Sequence, residues 1–266
     1  MKSKVVLSLS IALAVLFMVA CSSESQQTEP VATTTDKGAS TAIPAKEAKK
    51  RDVALVRVVH VLPGFGAVDT FFGANKEFNN VGYKSVTPYK EVPDVRQTFV
   101  IKPVGQDTAQ PFAQNNEGLS GGDHYTVIAM PAPDGKVILR VVADNLTPPR
   151  AGKASVRIIN ASPDAGEVDV FEKGKGDKLV GGVNPETVTS YHEVDPMTGA
   201  LEVRPQGKKD VLLTTPVKFE PGHLYTIIFA GKAKGAPKLE PVKIDDTLVG
   251  QPGAVETSPS PAEPTR

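Results

Sequence analysis

The side chains that most often carry out chemistry are few in this chain and stand apart from one another. Its four histidines are His60, His124, His192 and His223. No two of them show the H-x-H or H-E-x-x-H spacing that is typical of transition-metal sites. The sequence therefore predicts no metal site and no cofactor. It predicts a structural role for His60, which stands near the end of a predicted strand.

Acidic residues are the second group that could bind a ligand. Asp69 and Asp169 stand 100 residues apart in matching contexts, and Asp164 lies close to Asp169 in the sequence. Calcium takes about six to eight oxygen ligands, and no dense loop of Asp, Asn and Glu supplies them here. An outward acid on a strand is usually solvated or caps a neighbouring turn. A solvated acid and a turn cap are therefore both open interpretations of Asp69 and Asp169 at this point.

The motifs of covalent catalysis and nucleotide binding are missing from the sequence. There is no G-x-S-x-G elbow, no Gly-rich P-loop and no Rossmann fingerprint, and the only cysteine is Cys21. We therefore predict that the protein is not an enzyme and assign no catalytic residue. A pair of catalytic carboxylates needs no motif, so a cryptic carboxylate-dependent hydrolase remains an alternative.

The beginning of the chain carries a targeting signal. Lys2 and Lys4 precede an apolar stretch over 5–19, the pattern of a secretory signal peptide. Met18-Val19-Ala20-Cys21 resembles a bacterial lipobox, although that pattern prefers Leu where Met18 stands. The resemblance implies cleavage before Cys21 and lipid on its sulfur. Ser22, in place of Asp, resembles the signal for sorting to the outer membrane.

An internal repeat dominates the rest of the sequence. Ala54-Leu55-Val56-Arg57-Val58-Val59-His60-Val61-Leu62-Pro63 is matched by Ala154-Ser155-Val156-Arg157-Ile158-Ile159-Asn160-Ala161-Ser162-Pro163. A repeat of this length predicts two copies of one domain. A residue present in both copies is expected to serve the fold, and chemistry is expected where the copies differ.

Strand patterns predict the fold class. Short apolar runs separated by Pro and Gly turns recur in both copies, and no stretch shows a helical period. Seven strands per copy indicate two tandem β-sandwiches of the immunoglobulin-like or fibronectin III-like kind. In copy 1 the predicted strands lie near 54–61, 67–72, 85–91, 97–103, 108–114, 124–130 and 136–143; in copy 2 they lie near 154–161, 167–172, 187–193, 200–204, 210–217, 224–231 and 237–244.

Composition divides the chain into five segments. Residues 21–52 are rich in Ser, Thr, Ala and Pro, which predicts a flexible tether with a reach of roughly 30 Å. The Pro-rich end predicts a disordered tail. The predicted segments are a signal peptide over 1–20, the lipidated cysteine and tether over 21–52, sandwich domains over 53–149 and 150–249, and the tail over 250–266.

A repeated tyrosine sharpens the fold prediction. Phe219-Glu220-Pro221-Gly222-His223-Leu224-Tyr225 resembles the start of strand F in fibronectin type III domains, and Tyr125 holds the same place in copy 1. In such domains the tyrosine forms a corner, because its hydroxyl bonds a backbone group a few residues upstream. We expect Tyr125 and Tyr225 to form two such corners.

The repeat itself resembles a known family. Val156-Arg157-Ile158-Ile159-Asn160-Ala161-Ser162-Pro163-Asp164-Ala165, followed by Val168-Asp169-Val170, is similar to the V-R-V-V-H-A-S-P-D-A and V-D-V motifs of the DUF4397 family. Copy 1 departs from this pattern at Leu62-Pro63-Gly64-Phe65, and copy 2 has Asn160 where the family has His. The resemblance implies exported β-sandwich domains, often in tandem on cell surfaces, and no established activity.

These observations favour a binding protein of the cell envelope. The formal net charge is zero, so there is no basic field that would drive nucleic-acid binding. We expect a non-catalytic, lipid-anchored protein that displays two immunoglobulin-like domains for binding, adhesion or scaffolding. Its expected partners are the membrane, through lipid on Cys21, and an unidentified envelope protein or polysaccharide. The expected location of the protein is the outer membrane. A polysaccharide-binding lipoprotein is a further alternative, although the chain has no Trp platform.

Overall fold

The structure is a computed structural model that describes residues 52–248, and these residues form β-strands and turns without a helix. The predicted signal peptide, most of the tether and the C-terminal tail lie outside the described residues. Within the described part of the chain, no helix is long and apolar enough to cross a membrane.

Copy 1 is a sandwich of two four-stranded sheets. Its strands are β1 (Val53–His60), β2 (Val68–Phe72), β3 (Asn75–Val81), β4 (Lys90–Pro93), β5 (Arg96–Pro103), β6 (Ala113–Gly118), β7 (His124–Pro131) and β8 (Val137–Asp144). The sheet that we call inner has the order β4-β1-β7-β8, and the outer sheet has the order β3-β2-β5-β6. β1 runs parallel to β7, and the other neighbours are antiparallel.

Copy 2 repeats this arrangement strand for strand. Its strands are β9 (Ala154–Asn160), β10 (Val168–Glu172), β11 (Lys178–Val183), β12 (His192–Val194), β13 (Met197–Pro205), β14 (Leu213–Phe219), β15 (Leu224–Ala230) and β16 (Glu240–Asp245). The inner sheet is β12-β9-β15-β16 and the outer sheet is β11-β10-β13-β14. The repeat in the sequence is therefore a repeat of topology.

The all-β sandwich prediction is confirmed, and the structure corrects its details. Each copy has eight strands rather than the seven predicted, and the additional strands are β3 and β11. Both are edge strands that pair with irregular register; β3 is largely polar and β11 carries two adjacent glycines, so neither shows the alternation of a half-buried strand. The strand predicted over 85–91 is reduced to a bridge at Val86 and the short β4, and the one predicted over 108–114 lies at Ala113–Gly118.

Each sandwich has its own apolar core, and a third core joins the two copies. Val59 and Ile128 of copy 1 pack in one cluster with Ile159, Ile228 and Val242 of copy 2. The inner sheets therefore face each other, and β1 and β9 are covered on both sides. This double burial explains why both strands read as nearly continuous apolar runs rather than as alternating ones.

Contacts between the copies show that β1 and β9 run in the same direction. Lys84, whose amide donates to the carbonyl of His60 at the end of β1, pairs with Glu240 at the start of β16. Arg57, nearer the start of β1, pairs with Asp246, just after β16. β16 is antiparallel to β15, and β15 is parallel to β9, so the start of β16 lies beside the end of β9. Since the start of β16 also lies beside the end of β1, β1 and β9 run in the same direction. We call the end where β1 and β9 begin the proximal end, and the opposite one the distal end.

Candidate functional site

A buried network of charged side chains lies between the inner sheets. The Arg57 guanidinium on β1 donates to Oγ1 of Thr126 on β7, 2.9 Å away, and to the carboxylate of Asp246 in copy 2. Thr126 in turn donates to Asp144 over 2.6 Å. The Arg57 and Asp246 side chains are 5% and 0% exposed, so this ion pair is desolvated.

The same contacts recur with the copies exchanged. Arg157 donates to Oγ1 of Thr226 over 3.0 Å and to Asp144 of copy 1 over 2.7 Å, and Thr226 donates to Asp246. Each arginine thus pairs with the aspartate of the other copy. Reciprocity of this kind is the property of a two-fold symmetric interface, here formed within one chain.

Two tyrosines complete the network. Tyr89 donates its hydroxyl hydrogen bond to Asp144 over 2.8 Å, and Tyr191 donates to Asp246 over 2.7 Å. Each guanidinium carbon lies 4.7 Å from a tyrosine ring centroid, Arg57 over Tyr89 and Arg157 over Tyr191. Burial, followed by the nearby carboxylate, raises the pKa of both tyrosines. All these groups are used in joining the copies, so we assign the network a structural role.

The predicted structural role of His60 is confirmed. His60 is fully buried; its Nε2 lies 2.8 Å from the Gly66 carbonyl, and its Nδ1 accepts from the amide of Leu62. Asn160 makes the equivalent contacts to Gly166 and Ser162 in copy 2. Burial lowers the pKa of His60, against the opposing effect of its backbone hydrogen bonds. The side-chain amide of Asn160 and the neutral imidazole of His60 therefore make equivalent hydrogen bonds to the backbone in the two copies.

The other histidines lie apart from one another. His124 packs edge-to-face against Tyr89, His192 is exposed on β12, and His223 contacts Asp245. Within residues 52–248, no three His, Cys, Asp or Glu side chains form a group that could hold a metal ion.

The repeated acids cap turns, as one of the two interpretations predicted. Asp69 accepts hydrogen bonds from the amides of Asn80 and Gly105 at 2.9 and 3.0 Å and pairs with Lys76. Burial acts to raise the pKa of Asp69, and these donors lower it overall. Asp169 is held in the same way by Gly182 and Lys178.

Asp164 serves a different loop from Asp169. Its carboxylate accepts from the amides of Ala233 and Lys234, both at 2.9 Å, and from the hydroxyl of Ser162. Asp164 and Asp169 are therefore committed to separate backbone groups.

Both tyrosine corners are present. The amide of Ser120 donates to the hydroxyl of Tyr125 over 3.0 Å, and the amide of Glu220 donates to the hydroxyl of Tyr225 over 3.1 Å. In each copy the bond spans five residues and fixes the turn that leads into β7 or β15. Cys21, the predicted lipidation site, lies outside the described residues.

The copies differ most in the loops at the distal end. In copy 1, Phe65 replaces the small residue of the repeat and packs edge-to-face against Phe112, with ring centroids 5.1 Å apart. Among the described residues, four large apolar side chains are exposed, namely Val95, Val104, Phe112 and Val211. The last three belong to distal loops, and only Val95 lies at the proximal end. The distal loops are thus the candidate binding surface, since function is expected on loops held by a rigid frame.

The buried network was not predicted from the sequence, although a signal for it exists. Arg57 and Arg157 interrupt apolar strands at the same position of the repeat, and an aspartate stands at the end of each copy, Asp144 as the last residue of β8 and Asp246 just after β16. A charged residue in a buried strand needs a partner. The repeat alone does not show that the partner belongs to the other copy.

The fold defines a class: paired β-sandwiches that present loops at one end. The model of DUF4397, a domain of unknown function, matches residues 54–171, and this part of the chain belongs to that family. The matched range runs from β1 into β10, so it includes all of copy 1 and the beginning of copy 2. The family resemblance is thereby confirmed over residues 54–171.

Comparisons with other proteins add little about function. The search of curated proteins gives no match. The C-terminal domain of AlgF from P. aeruginosa is 24% identical with a TM-score of 0.28, over 35% of this chain and 98% of that one. A protein from Bacteroides eggerthii DSM 20697, named "putative cell adhesion protein", is 8% identical with a TM-score of 0.18, over 73% of this chain and 96% of that one. TM-scores of this size carry no argument about function.

Proposed function

We propose that this protein is a non-catalytic, lipid-anchored binding protein of the bacterial cell envelope. In this proposal the two sandwiches act as one rigid body that serves adhesion or scaffolding. The observation that supports it is the reciprocal pairing of Arg57 with Asp246 and of Arg157 with Asp144. Buried pairs of this kind hold the copies in one orientation, so their loops form a single surface.

The direction of the strands supports a binding surface at the distal end. β1 begins at Val53 on the proximal end, so the tether that starts at Cys21 joins the sandwich there. The distal loops face away from this attachment point. Val104, Phe112 and Val211, which are 41%, 36% and 46% exposed, lie on that side. Exposed apolar side chains on loops commonly mark contact surfaces.

Photo-crosslinking in living cells tests this proposal. A crosslinking residue is placed at Val104, Phe112 or Val211, and products are identified by mass spectrometry. Val95 is the matched control, because it is an exposed valine at the proximal end. We expect the distal positions to capture a common envelope partner that Val95 does not capture. Equal capture from Val95, or none from the distal positions, would contradict the proposal.

The anchor is tested separately. Cys21→Ala should abolish incorporation of labelled fatty acid and release the protein from the membrane fraction. Unchanged labelling would show that the lipobox resemblance is misleading.

A further inference from the structure

An apolar cleft is present in copy 2, and a smaller cavity of about 330 Å³, whose lining includes Asn115 and Leu139, lies between the equivalent edges of copy 1, β6 and β8. The cleft in copy 2 lies between the free edges of β14 and β16 and has a volume of about 540 Å³. We call it the copy-2 cleft; its lining includes Gly199, Val217, Phe219, Tyr225, Ile227 and Lys243. Small-molecule sites usually occupy roughly 300–1,000 Å³ and are mostly apolar, and this cleft meets both conditions.

Side chains at equivalent positions make the paired edges of the two copies differ. In copy 1, Asn115 on β6 donates from Nδ2 to the carbonyl of Leu139 on β8 over 2.8 Å and ties the two edges together. The register places Thr215 at the same position of β14. Its hydroxyl is shorter and lies 3.5 Å from the neighbouring Pro216 carbonyl.

A second difference widens the cleft floor. The shared register of β5 and β13 places Gly199 where copy 1 has Gln97. The exposure of the two corner tyrosines differs accordingly: Tyr125 is buried, whereas Tyr225 is partly exposed. The loss of an edge-closing amide and of one side chain therefore exposes part of the copy-2 core.

Lysines stand at the mouth of the cleft. Nζ of Lys243 donates to the Pro216 carbonyl over 3.1 Å, and Nζ of Lys218 pairs with Glu220 over 2.7 Å. Both ammonium groups are exposed. The acid at the rim, Asp245, is engaged by His223 and Thr247. Of these two lysines, Lys218 is neutralised by Glu220, whereas Lys243 has no ion-pair partner among the described residues, so Lys243 supplies an unneutralised positive charge beside the apolar floor.

We propose that the copy-2 cleft binds a fatty acid. The hydrocarbon chain lies against Val217, Phe219 and the Tyr225 ring, and the carboxylate meets Nζ of Lys243. Position supports this occupant, because Phe219 ends β14 and Tyr225 is the second residue of β15, which places the cleft at the proximal end. This step rests on the proposed function, in which the proximal end carries the lipid-anchored tether.

Binding of laurate, measured by isothermal titration calorimetry, tests the proposal. The protein is the chain from residue 21 onward carrying Cys21→Ala, so that no attached lipid competes. Gly199→Leu should fill the cleft, since a Cβ at Gly199 meets only the mobile end of Met197, at 3.1 Å. We expect saturable binding that Gly199→Leu weakens at least roughly tenfold, or about 1.4 kcal/mol. Gly176→Leu is the matched control, because a Cβ there has open space.

The carboxylate contact is tested at Lys243. Lys243→Gln should weaken laurate binding, Lys243→Arg should restore it, and neither change should affect the neutral alcohol 1-dodecanol. No saturable laurate binding, or wild-type binding by Gly199→Leu, would overturn the proposal. Equal binding of laurate and the alcohol would overturn the role of Lys243, and a peptide co-purifying in the cleft would favour a strand-adding partner instead. Laurate binding is measured in a protein without the anchor, and none of the cleft variants lies in the distal loops, so failure of this proposal is distinct from failure of the proposed function.

Discussion

Arg157 in copy 2 donates a hydrogen bond to Asp144 in copy 1 over 2.7 Å, with both side chains almost fully buried. The mirror pair of Arg57 and Asp246 makes the same contact in the opposite direction. The two sandwiches are thereby joined by charges that have no access to water. A buried ion pair is weak evidence for net stability, but losing one of its partners is costly.

Asp144→Asn should destabilise the whole described unit. The change removes the nearest counter-charge of the buried Arg157 guanidinium, which is left with Asp246 at 4.0 Å, and weakens the contacts of Thr126 and Tyr89. We expect a loss of about 3–5 kcal/mol in the free energy of unfolding, measured by urea denaturation. The copies should lose stability together, because the pair spans them.

The control for this prediction is Asp134→Asn. Asp134 forms an ion pair with Lys136 at an exposed turn, where such pairs contribute little. A comparable loss in both variants, or a loss confined to one copy in Asp144→Asn, would contradict the role assigned to the network.

Removing the hydroxyls of the two corner tyrosines should destabilise the two copies by different amounts. Tyr125→Phe removes the acceptor of the Ser120 amide at a tyrosine that is only 7% exposed, and we expect a cost of about 1–3 kcal/mol. Tyr225→Phe should cost less, because Tyr225 is itself partly exposed and water can take the place of its hydroxyl. Urea melts of the full chain measure both.

Tyr83→Phe is the matched control for the corner variants. The hydroxyl of Tyr83 is buried and has no hydrogen-bond partner among the described residues, so its removal should not destabilise the protein. If Tyr83→Phe is as harmful as Tyr125→Phe, the cost reflects the loss of any hydroxyl rather than the loss of a corner.

Chelation should leave the melting temperature unchanged. Asp69 and Asp169 are already satisfied by backbone amides and lysines, and no metal-ligand group occurs among the described residues. Thermal denaturation with and without EDTA provides the measurement. A drop of several degrees that calcium restores would show that the turn-capping assignment is wrong.

The sequence predicts those features of this fold that depend on neighbours in the chain. The tyrosine corners join groups five residues apart, so the motif before each tyrosine is sufficient to predict them. Asp69 and Asp169 accept from amides farther along the chain, Gly105 at 36 positions and Gly182 at 13, so the sequence leaves their role open. The pairing of Arg57 with Asp246 joins residues 189 positions apart. No local pattern distinguishes that pairing from a contact within one copy.

The same limit applies to the copy-2 cleft. It opens because Thr215 replaces Asn115 in the repeat, and the importance of that difference is visible only once β6 and β8 are known to be adjacent edges. The cleft does agree with the expectation from the sequence that chemistry lies where the two copies differ.

His60 should make copy 1 sensitive to mild acid. Burial lowers its pKa in the folded protein below the value of about 6.5 expected in the unfolded chain. Above that pH both states hold a neutral ring, and the residue has no effect on pH dependence. As the pH falls through about 6.5, the unfolded chain takes up the proton first, so the free energy of unfolding decreases.

His60→Asn should remove this acid sensitivity without breaking the fold, because Asn160 already makes the equivalent contacts in copy 2. Urea melts at pH 7.5 and pH 5.5 give the change in unfolding free energy for wild type and variant. We expect a smaller acid-induced loss in the variant. His192→Asn, at an exposed position on β12, is the matched substitution against which that difference is judged. A His60→Asn protein that loses as much stability in acid as the wild type would show that the buried ring is not the group that titrates.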